Sequence, residues 1–232
     1  MSAERAAVAD LESDRRNAFL LTPVSRETQV RLEKFVALLL ERQKTINLIA
    51  NSTISTLWTR HIADSLQLLD LAPHALVWVD LGSGGGFPGF ALACSLADRP
   101  NSEIHLIEST GKKAAFLRDA AAAIGLPAKV HHMRIENIGD SLGKRVDVVT
   151  ARALAPLKTV LDQAYPLMGP KTLGLFHKGR DVEAELTEAS KYWNIEADLV
   201  QSRTHPDGRI VVVRHLEPRK GVRKQQRAGC ET

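Results

Sequence analysis

The chain has 232 residues, enough for one large domain or for one domain with a small appendage. Hydrophobic residues make up 44% and charged residues 25%, which excludes a collagen-like, mucin-like or largely disordered protein. No stretch approaches the roughly 18 apolar residues of a membrane span, and the charged N-terminus lacks a signal-peptide core. Since the only cysteines are Cys94 and Cys230, far apart and outside any metal-binding motif, the sequence predicts a reduced, cytoplasmic protein without disulfides or metal.

The net charge says little about partners. Lys and Arg number 31 against 27 Asp and Glu, a formal charge of +4. Most of this excess lies in a basic tail, residues 217–232, and a run of charges is more often a solvated segment than a recognition arm. The composition therefore permits a nucleic-acid partner without requiring one.

The N-terminal third is predicted to be helical. Residues 1–24 show no sustained hydrophobic period and are expected to be flexible, frayed or weakly helical. From Ser25, a plausible N-cap, apolar residues recur at steps of three and four, which predicts an amphipathic helix. A second helix is predicted over 54–70, closed by Pro73. The range 25–73 is therefore interpreted as a helical cap.

After Pro73 the chain alternates between strand-like and helix-like segments. Strands are predicted at 76–81, 104–108, 128–131, 146–151, 172–177, 195–201 and 209–214, and helices at 88–97, 112–124, 155–165 and 181–192. This alternation is typical of a parallel sheet covered on both faces. A Pro-Asp-Gly turn at 206–208 predicts a final hairpin, so the last strand should be antiparallel. The sequence predicts an α/β domain over 74–216.

The densest motif is a glycine loop, residues 80–89, with the sequence DLGSGGGFPG. It lies where the first predicted strand turns into a helix. Glycines there let the backbone adopt positive φ and approach a ligand closely. The free N–H groups at the start of the helix can face a polar or anionic ligand group. A nucleotide-like ligand is therefore expected at this turn.

Two registers of the loop compete. Gly82, Gly84 and Gly86 match the nucleoside loop of S-adenosylmethionine (SAM) enzymes, whereas the spacing from Gly84 to Gly89 matches the dinucleotide fingerprint. Glu108 follows about twenty residues later and fits both, because either ligand offers ribose hydroxyls. The predicted antiparallel last strand favours the SAM-dependent methyltransferase fold, a Rossmann-like seven-stranded sheet.

Missing motifs narrow the chemistry. Residues 150–156 lack the Asn/Asp-Pro-Pro-aromatic run that commonly accompanies methylation of exocyclic amines, and Cys94 is predicted to be a core residue, not a nucleophile. No Ser/His/Asp constellation is evident. Guanine N7 needs neither base nor nucleophile, since it carries an in-plane lone pair and has no proton to lose. An enzyme acting there has only to hold N7 in line with the methyl group.

Several stretches in chain order carry a further resemblance. They are Asn47-Leu48 with RHIADSL at 60–66, the loop 80–89 with its Phe-Pro-Gly ending, ESTGKK at 108–113 with 116–118, and 134–136 with 151–153. On these motifs the chain resembles the bacterial small-subunit ribosomal RNA guanine-N7 methyltransferases, also called glucose-inhibited division protein B. It departs from them in having Arg42-Gln43 and Asn47-Leu48-Ile49, where the family usually has Trp-Asn and Asn-Leu-Thr.

The resemblance implies methyl transfer from SAM to N7 of a guanine in the decoding region of 16S rRNA, with the rRNA or the small ribosomal subunit as partner. From the cysteine pattern and the absence of a long apolar stretch we expect no metal and no membrane partner, and we expect a monomer. The resemblance implies cofactor contacts at Gly82, Phe87, Ile135, Glu136 and Arg152. The loop register adds Gly84 and Gly86, and strand position adds Glu108 as the ribose ligand.

Basic residues are candidates for RNA contact. Arg60 and His61 are placed by the resemblance at an RNA-facing rim, fixed by Asp64 and Ser65; the alternative is a plain surface ion pair between Arg60 and Asp64. Cations at a helix N-terminus oppose its dipole, so their presence there hints at phosphate contact. Lys112 and Lys113 lie at the start of the predicted helix 112–124, and Arg118 lies on one of its faces; all three are candidate RNA contacts. The partner of Arg152 is left open: the cofactor, an RNA phosphate or Glu136.

Two other functions stay open on the sequence alone. The dinucleotide register would suit a nicotinamide-dependent oxidoreductase, although no Tyr-x-x-x-Lys or other hydride-transfer set is present. The third hypothesis is an RNA-binding module that keeps the methyltransferase fold without turnover.

Overall fold

A computed structural model describes residues 3–138, 142 and 145–219 of the chain. Most of the predicted basic tail, including Cys230, lies outside the described residues. Within the described part of the chain, no helix combines the length and the hydropathy needed to cross a membrane.

The N-terminal segment forms a 19-residue helix, α1 (Ala3–Leu21), where the sequence predicted a flexible, frayed or weakly helical end. The expectation of a flexible or frayed end was wrong because the helix is held by contacts with distant residues. The Asp14 carboxylate accepts the N–H of Trp58 at 2.7 Å and that of Thr59 at 3.2 Å. The ring of Phe19 meets Trp58 edge-on, with centroids 5.4 Å apart. These tertiary contacts leave no local periodic signal in residues 1–24.

The rest of the cap begins as predicted and then departs from the prediction. Helix α2 (Arg26–Gln43) is capped by Ser25, whose hydroxyl accepts the N–H of Thr28. The single helix expected over 54–70 is instead divided into a π-helical turn and two short helices. These are Trp58–Ala63, α3 (Asp64–Leu66) and α4 (Leu68–Leu71). Turns of π-helix often occur at functional sites, and this one carries Arg60 and His61.

Seven strands form one sheet. They are β1 (Val77–Leu81), β2 (Glu103–Glu108), β3 (Ala128–His132), β4 (Val148–Arg152), β5 (Leu173–Lys178), β6 (Trp193–Gln201) and β7 (Arg209–Pro218). Their order is β3-β2-β1-β4-β5-β7-β6. The first five strands run parallel, and β7 is antiparallel to both β5 and β6. The predicted antiparallel end of the sheet is confirmed.

Helices cover both faces of the sheet. They are α5 (Gly89–Leu96), α6 (Gly111–Ile124), α7 (Leu157–Ala164) and α8 (Val182–Ala189). The cap packs with α5 and α6 around one core, which includes Trp78 of β1, while Val79 and Leu81 face the core under α7 and α8. Cys94 is fully buried in the first core, as predicted, and burial raises the pKa of its thiol to about 12. Because β1, β2, β4 and β5 are parallel, their carboxyl ends lie at one edge of the sheet.

Candidate functional site

The glycine loop turns sharply after β1. The φ angles of Gly82, Gly84 and Gly86 are +67°, +55° and +105°, a region that L-residues with side chains seldom adopt. A Cβ on Gly82 would lie 2.6 Å from Cδ1 of Leu154, so the loop also passes close to the segment after β4. Glycine is therefore required here by both conformation and space.

A buried carboxylate ties the loop to the sheet. Oδ2 of Asp80 accepts the N–H of Gly89 at 3.1 Å, and Oδ1 accepts the hydroxyl of Thr150 at 3.0 Å. Asp80 is 1% exposed, and this burial raises the pKa of its carboxyl to about 6. These bonds connect the ends of β1 and β4 to the start of α5, so the loop has a fixed frame.

Glu108 closes the other side of the loop from the end of β2. Its Oε2 accepts the N–H of Gly84 at 2.8 Å, and its Oε1 accepts the N–H of Thr110 at 2.6 Å. Each carboxylate oxygen has two acceptor directions, so both can still receive a hydroxyl proton. The structure gives Glu108 a role in shaping the loop that strand position alone did not predict.

A cavity of about 590 Å³ opens between the glycine loop and the cap. Most of the predicted cofactor residues line it: Gly82, Gly84, Phe87, Glu108, Ile135, Glu136 and Arg152. Gly86 is not among its lining residues, because it faces the cap core, where an added Cβ would lie 2.8 Å from Cζ of Phe35. The structure thus brings together residues from the ends of β1, β2 and β4 and the turn after β3.

His61 belongs to the wall of this cavity as well as to its rim. Its ring packs on Phe87, and its Nε2 lies 2.8 Å from the hydroxyl of Thr53. Burial, reinforced by the charge of Arg152, lowers the pKa of His61 to about 3, so the imidazole is neutral. A neutral, half-buried ring does not match the exposed cation that RNA contact would favour.

Arg152 has a partner that the sequence analysis did not name. Its Nε lies 3.5 Å from Oδ2 of Asp64, and its Nη2 donates to the main-chain oxygen of Arg60 at 2.7 Å. The suggested pairing with Glu136 is not formed, since Glu136 accepts from Gln163 instead. The suggested surface pair between Arg60 and Asp64 is not formed either, because Asp64 is buried beside Arg152.

His177, which sequence reasoning missed, joins this cluster from β5. Its Nε2 donates to the main-chain oxygen of Asp64 at 2.8 Å. Burial would raise the pKa of Asp64, but His177, Arg152 and hydrogen bonds from Thr204 and Ser202 together hold it below its usual value. The sequence offered one signal for His177, its position near the carboxyl end of a predicted parallel strand, where ligand sites of such sheets lie.

A second cavity, of about 580 Å³, lies beside the first. The two share the residues Arg60, Arg152, Ala153 and Leu154 as a common wall. The second cavity is lined mainly by residues after β4 and β5 and in the β6–β7 connection, and no sequence motif had marked it. Its further polar lining includes Lys178, Arg180, Asp207 and Arg209.

The other predicted RNA contacts lie on the outside. Arg60 is exposed, and its side chain makes no hydrogen bond or ion pair with the described residues. Lys113 is half-buried and lines the first cavity, while Lys112 and Arg118 are exposed on α6. The arrangement puts cations at the mouths of both cavities and along α6.

Comparison with known proteins decides the family. The model of the rRNA small subunit methyltransferase G family matches residues 28–211. The chain belongs to this family. A ribosomal RNA small subunit methyltransferase G from Bradyrhizobium sp. (strain ORS 278) is 56% identical over 214 residues, covering 92% of this chain and 96% of the relative. Another, from Nitrobacter hamburgensis, is 54% identical over 220 residues, covering 94% and 85%.

Solved structures support the fold predicted for this methyltransferase G chain. Cofactor-bound Rv0187 from MTB has a TM-score of 0.57 at 14% identity, covering 89% of this chain and 98% of that one. A mutant of MtNAS in complex with S-adenosylmethionine has a TM-score of 0.51 at 16% identity, covering 81% and 75%. The predicted SAM-dependent methyltransferase fold is confirmed, as is the family resemblance. Family and fold support S-adenosylmethionine as the cofactor.

Proposed function

We propose that this chain methylates N7 of a guanine in the decoding region of 16S rRNA, with SAM as the methyl donor. One observation carries the proposal: a cavity built by the glycine loop shares a wall with a second cavity, at Arg152 and Leu154. The first cavity suits a nucleoside cofactor, and the second suits the acceptor base. Membership of an rRNA methyltransferase family supports RNA as the substrate class.

The first cavity fits the proposed cofactor. A Cβ on Gly84 would meet nothing closer than the main-chain oxygen of Gly82 at 3.7 Å, so the backbone there is open to a ligand. Arg152 lines the cavity, and its buried Nη1 has no hydrogen-bond partner within the described residues, so its N–H groups are available to donate to a ligand carboxylate. When bound, SAM supplies an electrophilic methyl group on a positively charged sulfur.

The wall residues divide the remaining contacts. Glu108 can accept ribose hydroxyls while it holds the loop. Ile135 is partly buried in the wall and offers apolar surface for the adenine ring. The Glu136 carboxylate accepts from Gln163 at 3.1 Å, so we assign its main chain, and not its side chain, to the adenine edge.

No residue of the site needs to move a proton. Asp80 is buried and accepts two hydrogen bonds, and the imidazole of His61 is held by Phe87 and Thr53. Neither group is free to act as a base, and guanine N7 does not require one. The chain is therefore proposed to act by orientation and by excluding water, which can supply a large share of the rate of a simple transfer.

RNA is proposed to approach across the shared rim. Arg60 has an exposed guanidinium at the mouth of both cavities, with no ion-pair partner among the described residues. Lys112, Lys113 and Arg118 extend positive charge along α6, and contacts of this kind position a nucleic acid through its phosphates. Base selection is left to the second cavity.

Methyl incorporation tests the proposal. Small ribosomal subunits from cells lacking the enzyme, incubated with the full chain and labelled SAM, should accept about one methyl group per particle, and large subunits should accept none. Absence of label in the small subunits would contradict the proposal; subunit binding without incorporation would favour the non-catalytic RNA module. A Gly82→Leu variant is the matched control, because it obstructs the loop without touching the proposed RNA surface.

A further inference from the structure

We propose that Asp64 and His177 are positioning residues: they fix the Arg152 guanidinium in the wall between the two cavities, where its unpaired edge meets an anionic group of the cofactor. This inference rests on the cofactor assignment in the proposed function. It goes beyond it by giving a role to a residue of the cap and to a residue of β5 that no motif had marked.

The two oxygens of the Asp64 carboxylate face different neighbours. Its Oδ1 accepts from three neutral groups: Nε2 of Gln67 at 2.8 Å, Oγ of Ser202 at 3.1 Å and Oγ1 of Thr204 at 2.6 Å. Its Oδ2 lies 3.5 Å from Nε of Arg152 and 3.7 Å from Nε2 of His177. Since the three donors fix the plane of the carboxylate, Oδ2 is held in one place for the guanidinium.

His177 supports Asp64 from the main-chain side. Its Nε2 donates to a carbonyl oxygen, so a neutral His177 carries its proton on Nε2 and a lone pair on Nδ1. Nδ1 is buried and has no hydrogen-bond partner among the residues that the structure describes. Burial lowers the pKa of His177. The imidazole is therefore neutral near pH 7. Its Nε2 lies 3.7 Å from Oδ2 of Asp64 as an N–H donor, and Arg152 is the cation that pairs with this carboxylate.

Arg152 is held at two of its three nitrogens. Nε faces Asp64 and Nη2 donates to the carbonyl of Arg60, whereas the buried Nη1 has no hydrogen-bond partner in residues 3–138, 142 and 145–219. A guanidinium is planar, so fixing two nitrogens fixes the direction of the third. An unsatisfied N–H on a buried cation is costly, and a ligand anion that accepts from it removes that cost.

The cluster joins segments that are far apart in the chain: the cap, β4, β5 and the β6–β7 connection. A buried ion pair is not needed to hold such a junction, because well-packed apolar side chains of similar size are often as stable. A charge cluster at the wall of a ligand cavity is better explained by the ligand. We therefore expect substitutions at Asp64 to act on cofactor affinity through Arg152.

A double-mutant cycle tests this, with SAM affinity measured by calorimetry on the full chain. Asp64→Asn should weaken SAM binding about tenfold in the wild-type background, but less than about twofold when Arg152 is already replaced by Gln. Equal weakening in both backgrounds would overturn the inference, because it would show that Asp64 acts only on the general structure. Asp70→Asn is the control. Asp70 lies in the cap, like Asp64, but its exposed ion pair is with Arg203 and not with Arg152, so SAM affinity should not change.

A second pair of variants tests the same inference if Asp64→Asn does not fold. His177→Leu removes the donor to Asp64 and should weaken SAM binding about fivefold, while His177→Gln, which keeps a donor, should restore most of that loss. Unchanged affinity in His177→Leu would overturn the inference. Methylation of rRNA is a separate readout. If the double-mutant cycle gives the predicted coupling but the wild-type chain does not methylate rRNA, the proposed function is refuted and the positioning role of Asp64 and His177 is not.

Discussion

The ring of His61 lies on the ring of Phe87, with centroids 4.9 Å apart and an interplanar angle of 30°. His61 belongs to the π-helical turn of the cap, and Phe87 belongs to the glycine loop. This contact makes the cap one wall of the proposed cofactor cavity, so the cap shapes this cavity in addition to carrying the proposed RNA-contact residue Arg60.

Replacing His61 should therefore affect the cofactor. His61→Ala removes the ring that supports Phe87, and an aromatic pair of this kind contributes about 0.5–1.5 kcal/mol. We expect SAM affinity to fall about three- to tenfold in calorimetry, and His61→Phe, which keeps a ring, to lose less. Equal affinities in the alanine variant and the wild type would show that the stack does not shape the cavity.

Gly82 and Gly125 allow backbone strain to be separated from ligand binding. Both have positive φ, +67° and +76°, but a Cβ on Gly125 would meet nothing within 4 Å. Alanine at either position should lower the free energy of unfolding by about 1–2 kcal/mol. Only Gly82→Ala should also weaken SAM binding, because its Cβ would displace the side chain of Leu154 in the cavity wall. Intact SAM binding in Gly82→Ala would contradict the position assigned to the loop.

Arg60 should matter for RNA and not for SAM. Arg60→Ala removes an exposed cation that pairs with no residue in the described part of the chain, but it leaves in place the carbonyl that accepts from Arg152. Binding of the small subunit should weaken, and the slope of log affinity against log salt should fall by roughly one contact. SAM affinity should not change. Arg203→Ala, an exposed cation paired with Asp70, is the control and should leave the salt slope as it is.

Stability should fall in weak acid because buried histidines resist protonation. Burial lowers the pKa of His105 and of His131, which lie 3.0 Å apart through Nδ1 and Nε2. Below about pH 6.5 the unfolded chain binds protons that the folded chain does not, so the free energy of unfolding decreases as pH falls. Asp80, whose pKa is raised, opposes this trend between about pH 4 and 6.

Variants isolate the histidine contribution from that of Asp80. His105→Gln should reduce the pH slope of the unfolding free energy by up to about 1.4 kcal/mol per pH unit, the value for one proton. Chemical denaturation at pH 5, 6 and 7 measures the slope. An unchanged slope in His105→Gln, relative to the exposed control His74→Gln, would contradict the burial of this pair.

Local signals predicted the framework of the site well. The glycine loop and its positive φ values, Glu108 beside it and the antiparallel last strand all follow from short stretches of sequence. Gly86 was predicted to contact the cofactor. Its backbone has the expected positive φ, but the residue faces Phe35 and the cap core. Register within a glycine-rich turn cannot tell which glycine faces a ligand.

Features that depend on distant contacts could not be predicted. Helix α1 is stabilised by Asp14 and Phe19 meeting Trp58, and Arg152 pairs with Asp64 of the cap. In each case the contacting residue depends on the tertiary packing of the chain. The local spacing of hydrophobic residues carries no information about that packing. The second cavity was missed for the same reason, since its walls come from four separate segments.

Mapping the methylated atom tests the central claim most directly. A methyl group on N7 gives the guanine a positive charge and makes its glycosidic bond labile, so reduction followed by aniline breaks the RNA chain at that nucleotide. Small subunits treated with the enzyme and SAM should give one new break, at a guanine in the decoding region of 16S rRNA, and subunits treated with Gly82→Leu should give none. Methyl label in the RNA without a new break would place the methyl group on another atom and contradict the account.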